Sequence, residues 1–309
     1  MKKNIIALAV ASAISAPVAM ADAPVVYGIA AAAIQSDASG DSTGMTVDSV
    51  ASRVGIKGSE DLGNGLKAVY KMEFGLDITA NDTLSSRNQY VGLAGGFGTV
   101  LLGRHDTPMK MSQPKDLFND GVSDNTNIMN IADGEDRASN VIAYVSPSFS
   151  GVKVVAATVA GTTAPSTKSE LADTYSIAAM YGSTKKGLYL AAAYNGGDAL
   201  KDAEKTRLSA QYGPGCLIAN VIYQTEENHG SAIVASAGYK MGKMMPKIKW
   251  ADTSESKNSG ADGTVTSIGL DYALGKKTKA YVEYAMFDED FAGVDADYAA
   301  TTLGLQHKF

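Results

Sequence analysis

The last seven residues of the chain alternate between apolar and polar side chains and end on an aromatic residue. An interior strand of a soluble sandwich can show the same alternation. In an exported protein, a terminal strand of this kind indicates an outer-membrane β-barrel, whose last strand closes against the first. One face of this strand would carry Leu303, Leu305, His307 and Phe309, and the other Gly304, Gln306 and Lys308.

The amino terminus has the pattern of an export signal. A short basic head precedes an apolar stretch at residues 5–18, and residues 19–21 (Ala-Met-Ala) give a small-x-small cleavage pattern. A transmembrane anchor is the alternative, but the stretch is short and contains Pro17. We therefore predict a cleaved signal peptide over residues 1–21 and a single mature domain over residues 22–309.

The composition favours membrane-spanning strands. The chain has 32 Gly and 15 Tyr but only 8 Pro and 1 Trp, and its mean hydropathy is near zero. A water-filled barrel has this balance, because half of each strand faces lipid and half faces water. Cys216 is the only cysteine, so no intramolecular disulfide can form. Loss of two lysines with the signal changes the formal charge from −6 to −8, which argues against nucleic acid as a partner.

Sixteen segments read as strands, the first at residues 25–36 and the last at residues 299–309. Seven short connections, most of them glycine turns, alternate with eight long polar ones. Short turns at one end and long loops at the other are the layout of an outer-membrane barrel with both termini in the periplasm. We therefore predict an all-β fold, a 16-stranded antiparallel transmembrane β-barrel.

The alternation within strands separates an outward apolar face from a polar interior. Sixteen strands enclose an aqueous channel rather than a packed core. On the strand at residues 66–76, for example, every second residue is apolar and predicted to face lipid. The charged side chains predicted to face the interior include Lys57, Lys67, Lys71, Glu73, Lys247 and Lys249.

Residues 52–70 form a distinctive block, and three further blocks follow it: residues 97–104, residues 137–140 with 144–147, and the carboxyl-terminal residues 303–309. These blocks resemble Gram-negative general porins, and are most similar to the neisserial and β-proteobacterial type. Residues 52–70, the most specific block, resemble the second hairpin of these proteins. The resemblance implies a homotrimer in outer-membrane lipid and lipopolysaccharide, in which the third long loop of each subunit folds into the lumen.

The longest connection, residues 106–136, is the candidate for this loop. It contains the apolar pair Leu117 and Phe118 and a further cluster at Ile128, Met129 and Ile131, which a free extracellular loop would not need. We expect it to pack on the inner wall and to form the pore constriction.

The resemblance also implies opposed charges across the pore. It places acidic residues of the loop on one side, with Asp116, Asp120 and Asp124 as candidates, and arginines on the other, assigned to Arg53, Arg87 and Arg137. Where some relatives carry a lysine on the first strand, this chain has Ile29, which shortens the basic row. Such rows create a transverse field that orders polar solutes and selects ions.

These features favour passive diffusion of small hydrophilic solutes and ions. A substrate-specific porin is the alternative, although neither an aromatic line nor a dense lysine row is evident. A barrel hydrolase has only His105 or His307 as a basis, and an adhesin would not need the long loop. No cofactor or metal site is expected, because the three histidines lack metal-ligand spacing. The acidic residues within 288–298 read as a solvated loop, or as a divalent-cation site on lipopolysaccharide. The solute and the sign of ion selectivity stay open.

Overall fold

The computed structural model describes residues 23–39, 42–80, 84–128, 134–160, 173–255, 262–288 and 298–309. The predicted signal peptide, residues 1–21, lies outside these ranges. Among the described residues, no helix is long and apolar enough to cross a membrane. The helices are α1 (Pro108–Met111), α2 (Asn125–Ile128) and a 3₁₀ turn at Asp198–Leu200.

The strands form one antiparallel sheet in which chain neighbours pair, except that β2 and β3 both pair with β1. They are β1 (Val25–Ser39), β2 (Ser42–Ser49), β3 (Arg53–Gly63), β4 (Leu66–Gly75), β5 (Ser85–Gly95), β6 (Gly98–Asp106), β7 (Arg137–Val145), β8 (Val152–Val159), β9 (Tyr175–Gly182), β10 (Gly187–Gly196), β11 (Lys205–Gly213), β12 (Leu217–Glu226), β13 (Gly230–Tyr239), β14 (Met244–Glu255), β15 (Gly263–Ala273), β16 (Thr278–Phe287) and β17 (Tyr298–Lys308).

The second barrel strand is divided into β2 and β3. Both pair with β1, β2 along its distal part and β3 along its first residues. At the break, Ala51 has a φ of 48°, and the Ser52 hydroxyl bonds to both the N–H and the carbonyl of Ala31, each at 2.9 Å. Counting β2 and β3 as one strand gives the predicted sixteen. The connection predicted between the strand at residues 25–36 and the block that begins at residue 52 is, in its described part, largely a hairpin of β1 and β2, because its polar side chains still permit regular pairing.

The barrel closes between its first and last strands. β1 pairs with β17 from Ile29 opposite Lys308 to Ser39 opposite Tyr298. Two backbone hydrogen bonds extend this ladder, from Gly28 N to Phe309 O at 3.2 Å and from Phe309 N to Gly28 O at 3.1 Å. The carboxyl-terminal strand therefore has the closing role that its pattern predicted.

The side chains follow the predicted division into two faces. On β14, Ile248 and Trp250 are exposed outward, whereas Lys247 and Lys249 are buried inward. β16 repeats the pattern, since Val282, Tyr284 and Met286 are exposed and the residues between them are buried. The apolar outer surface and the charged inner surface are those of a transmembrane barrel.

The described parts of the long connection between β6 and β7, residues 107–128 and 134–136, contact inward-facing residues of the barrel. Ile128 of α2 is fully buried in a cluster with inward residues of β12 to β16, among them Ile222 and Val265. Met109 of α1 packs on Ala178 and Ala193, from β9 and β10. Two apolar residues of the loop are therefore packed on the inner wall, which is consistent with the prediction that the loop folds against it. Met129, Ile131 and Asp133 of this loop lie outside the described residues.

Candidate functional site

We call the connection between β6 and β7, residues 106–136, the intruding loop. Its first half contacts β9 to β11. Thr107 caps α1 by accepting a hydrogen bond from Lys110 N at 3.2 Å. Met109 N donates to Ser176 Oγ at 3.2 Å, and Tyr189 OH donates to Ser112 O at 3.0 Å. The end of the loop returns to the same wall, where the fully buried Arg207 forms an ion pair with Glu135.

The second half of the loop is held by two buried lysines of β14. Lys249 Nζ donates to Asp116 Oδ1 at 2.7 Å, to Ser123 O at 2.6 Å and to Asn125 Oδ1 at 2.8 Å. Lys247 Nζ donates to Leu117 O at 2.7 Å and to Glu283 Oε1 at 2.6 Å. It also lies 4.6 Å from the centroid of the Phe118 ring. The loop is therefore fixed by both charge and apolar contact.

The three candidate carboxylates of the loop have different hydrogen-bond and ion-pair partners. Asp116 accepts from Phe118 N and Asn125 N in addition to Lys249, and its side chain is almost fully buried. Asp124 accepts from the backbone N–H groups of Asp120 and Thr126. Asp120 instead lies 3.5 Å from Arg53 Nη1, where the loop meets β3. Of the three candidate carboxylates, Asp120 alone pairs with a predicted arginine.

The wall formed by β3 to β7 carries the three predicted arginines on its inner face. Arg87 Nε donates to Glu73 Oε1 at 2.9 Å. Arg137 pairs with Asp106 at 2.8 Å and donates from Nε to Asn88 Oδ1 at 2.9 Å. Two lysines, Lys57 and Lys71, extend this row towards the short turns. We call the inward side chains Arg53, Lys57, Lys71, Arg87 and Arg137 the basic wall.

A β-bulge brings Arg87 into this row. In the ladder between β4 and β5, Met72 pairs with Gln89 and Phe74 pairs with Ser86, so Glu73 faces two residues, Arg87 and Asn88. A bulge of this kind turns adjacent side chains to the same side of a sheet. Both therefore reach the interior, and the sequence reasoning missed Asn88 because simple alternation allows only one of the pair to do so.

The other interior charges predicted on β3 and β4 lie around one tyrosine. Tyr27 OH donates to Glu73 Oε2 at 2.8 Å, and Lys57 Nζ lies 5.2 Å from the Tyr27 ring centroid. Lys71 Nζ lies 3.2 Å from Glu73 Oε2. Lys67 follows the same alternation on β4, nearer the turn. Ile29 is buried opposite Arg53 in the ladder, so an apolar side chain occupies that inward position.

An anchored loop facing a wall of cations can order charged solutes. Fixed charges on two sides of a narrow aqueous passage create a field across it, and low-dielectric walls strengthen that field. Ions then experience the excess of one sign over the other. The arrangement is thus suited to passage rather than to a reaction.

Comparison with known proteins agrees with this geometry. The Gram-negative porin family matches the sequence over residues 7–292. The chain belongs to this family. The porin is 28% identical over 339 residues to the major outer membrane protein P.IB of Neisseria meningitidis serogroup B, and the alignment covers all of both chains.

Two solved structures show the same fold. The anion-selective porin from Comamonas acidovorans superposes with a TM-score of 0.72 at 20% identity, covering 93% of this chain and 99% of that one. The trimer form of OmpT, an outer membrane protein of Vibrio cholerae, gives a TM-score of 0.65 at 18% identity, covering 93% of this chain and all of that one.

Family membership locates this porin in the Gram-negative outer membrane, where it serves passive diffusion. The family indicates a channel rather than an enzyme. The two histidines considered for a hydrolase lie apart. His105 is buried inside the barrel against the Tyr90 ring, whereas His307 is exposed beside Thr278 near the closing end.

Proposed function

We propose that residues 106–136 and the basic wall form the constriction through which small hydrophilic solutes and ions diffuse. The observation that carries this proposal is the anchoring of the loop on β9 to β16, by contacts such as those of Arg207 and Lys249. The opening then lies between the loop and β3 to β7, whose inner face carries Arg87 and Arg137.

The constriction in this proposal carries more positive than negative charge. Asp116 is paired with Lys249, which offsets its charge, and Asp124 is bonded to N–H groups within the loop instead of to a cation of the basic wall. Asp120 meets Arg53 at one margin. We therefore assign the constriction chiefly to Arg53, Arg87, Arg137 and Asp120, while the pore roles of Asp116 and Asp124 stay predictions.

The proposal extends to the assembled protein. The mature chain would begin at residue 22 after signal cleavage, and three copies would associate, as in the trimer form of OmpT. The exposed apolar residues of the outer face, such as Leu190, Leu208 and Val221, suit contact with lipid, lipopolysaccharide or a neighbouring subunit.

Single-channel recording of the refolded mature protein in a planar bilayer tests this function. We expect conductance steps in groups of three and a reversal potential under a salt gradient that reports excess positive charge. Deletion of residues 117–124 should raise the conductance, because these residues cover part of the lumen. A matched deletion of residues 198–202, in the loop after β10, should leave conductance unchanged. Silence of the wild-type protein, or equal conductance of the two deletion variants, would refute the proposal.

A further inference from the structure

Glu73 is a carboxylate that forms ion pairs with two cations of the basic wall, Lys71 and Arg87. It lies on the inner face of β4 and is 6% exposed. Three groups from three strands reach it: Arg87 Nε at 2.9 Å, Lys71 Nζ at 3.2 Å and the Tyr27 hydroxyl at 2.8 Å. The bulge in β5 is what directs Arg87 towards it. A single side chain therefore both orders and partly neutralises the wall.

Two other carboxylates beside the basic wall each form an ion pair with one of its cations. Asp106 pairs with Arg137, and Asp120 lies against Arg53. Glu73 differs because it faces two cations at once. Loss of its charge would release both Arg87 and Lys71, so its effect on the field exceeds that of a carboxylate with a single partner.

We propose that Glu73 is a specificity-determining residue of this channel: its carboxylate limits the anion preference that the basic wall would otherwise impose. The inference rests on the proposed function, since it assumes that ions pass beside this wall. It extends that function by assigning the selectivity to a residue outside the intruding loop. Anions passing the wall encounter two cations that Glu73 partly neutralises, and the five positive groups are opposed by Glu73, Asp106 and Asp120.

The test is the reversal potential of Glu73→Gln in a potassium chloride gradient. Glutamine keeps the size and the acceptor oxygen for Arg87 but removes the charge. We expect the anion-to-cation permeability ratio to rise about three- to fivefold, the effect of one charge acting over a few ångströms of water. The matched control is Glu60→Gln, which removes the same charge from an exposed residue paired with Ala68 on the outward face. It should leave the ratio unchanged.

Two further variants keep the proposal testable if Glu73→Gln fails to fold. Arg87→Gln leaves Glu73 less neutralised, and should shift the ratio towards cations by a similar factor. Its control is Arg104→Gln, at a half-buried arginine whose hydrogen bond to Ser139 is exposed to solvent. The double variant E73Q/R87Q should restore a ratio near that of the wild type, because it removes one charge of each sign and leaves the net charge of the wall unchanged.

The outcomes separate this inference from the function on which it rests. If the wild-type protein conducts but E73Q changes the permeability ratio no more than E60Q does, the role of Glu73 is overturned. The proposed channel function then still stands. If R87Q changes the permeability ratio no more than R104Q does, the role of Glu73 is likewise overturned. A wild-type protein that does not conduct refutes the proposed function itself.

Discussion

Lys249 Nζ and Asp116 Oδ1 lie 2.7 Å apart, and both side chains are withdrawn from solvent between the inner wall and the intruding loop. The same ammonium also holds Ser123 O and Asn125 Oδ1. A buried lysine is tolerated here because three oxygen atoms satisfy its three protons. This one side chain thus sets the distance between the loop and β14.

Replacement of Lys249 by methionine should loosen the loop without opening the barrel. The variant leaves the Asp116 charge buried without its cation, a change that costs about 3–5 kcal/mol in comparable pairs. We expect a lower thermal unfolding midpoint and greater current noise. The control Lys243→Met, at an exposed turn, should behave as the wild type. Adding Asp116→Asn to the Lys249 variant should recover part of the lost stability, and failure to do so would argue against this pair as the anchor.

Gly28→Ala should impair closure of the barrel. A Cβ at Gly28 would lie 2.6 Å from the backbone oxygen of Arg53 and 2.2 Å from the ring of Phe309. The ring can move but the backbone of β3 cannot do so freely, so we expect a loss of about 1–3 kcal/mol. The fraction that folds in detergent, read from heat-dependent electrophoretic mobility, measures it. Gly44→Ala has nothing within 4 Å of the added atom and should fold normally; an equal loss in both variants would contradict the closure argument.

Acidification should loosen the turn after β4 through Asp77. Hydrogen bonds from the N–H and hydroxyl of Thr79, with a further one from Ala80 N, hold the Asp77 pKa below its ordinary value. Because the folded pKa is lowered, this support is present above the ordinary aspartate range and is lost as the pH falls through the lowered pKa. The amide chemical shifts of Thr79 and Ala80 should move in that acidic window. In the Asp77→Asn variant these amide shifts should not depend on pH in that window. If they still do, a group other than Asp77 causes the change.

Cys216 should report the orientation of the barrel. It is exposed in the short turn between β11 and β12, at the same end as both described chain termini. A membrane-impermeant maleimide too large for the pore should label it only after the cell envelope is opened, and labelling should not alter conductance. Labelling of intact cells would place the short turns outside the cell.

The faces of the barrel were predictable because alternation is a local property of the sequence. Lys247 and Lys249 could be assigned inward from their apolar neighbours alone. The partners of these lysines could not, since they depend on where a loop more than a hundred residues away comes to rest. For the same reason Asp116 and Asp124 are indistinguishable from Asp120 in sequence, although the structure gives them different contacts.

Irregularities of the sheet account for most of the remaining differences. The bulge opposite Glu73 leaves no signature in the run from Ser86 to Gln89. The break at Ala51 needs a positive φ at a residue that gives no warning of it. A polar segment such as residues 42–49 reads as a loop by composition, although backbone hydrogen bonds to β1 suffice to make it a strand.

The pairing of β1 with β17 also constrains how the protein can form. Contacts between strands at opposite ends of the sequence have the largest loop-closure entropy and are made slowly. Until the segment ending at Phe309 is in place, the sheet is open and its two edge strands have unpaired N–H and carbonyl groups, which are templates for aggregation. The nascent barrel therefore passes through an open-edged state whose lifetime, rather than the stability of the finished pore, determines how much of the chain must be chaperoned.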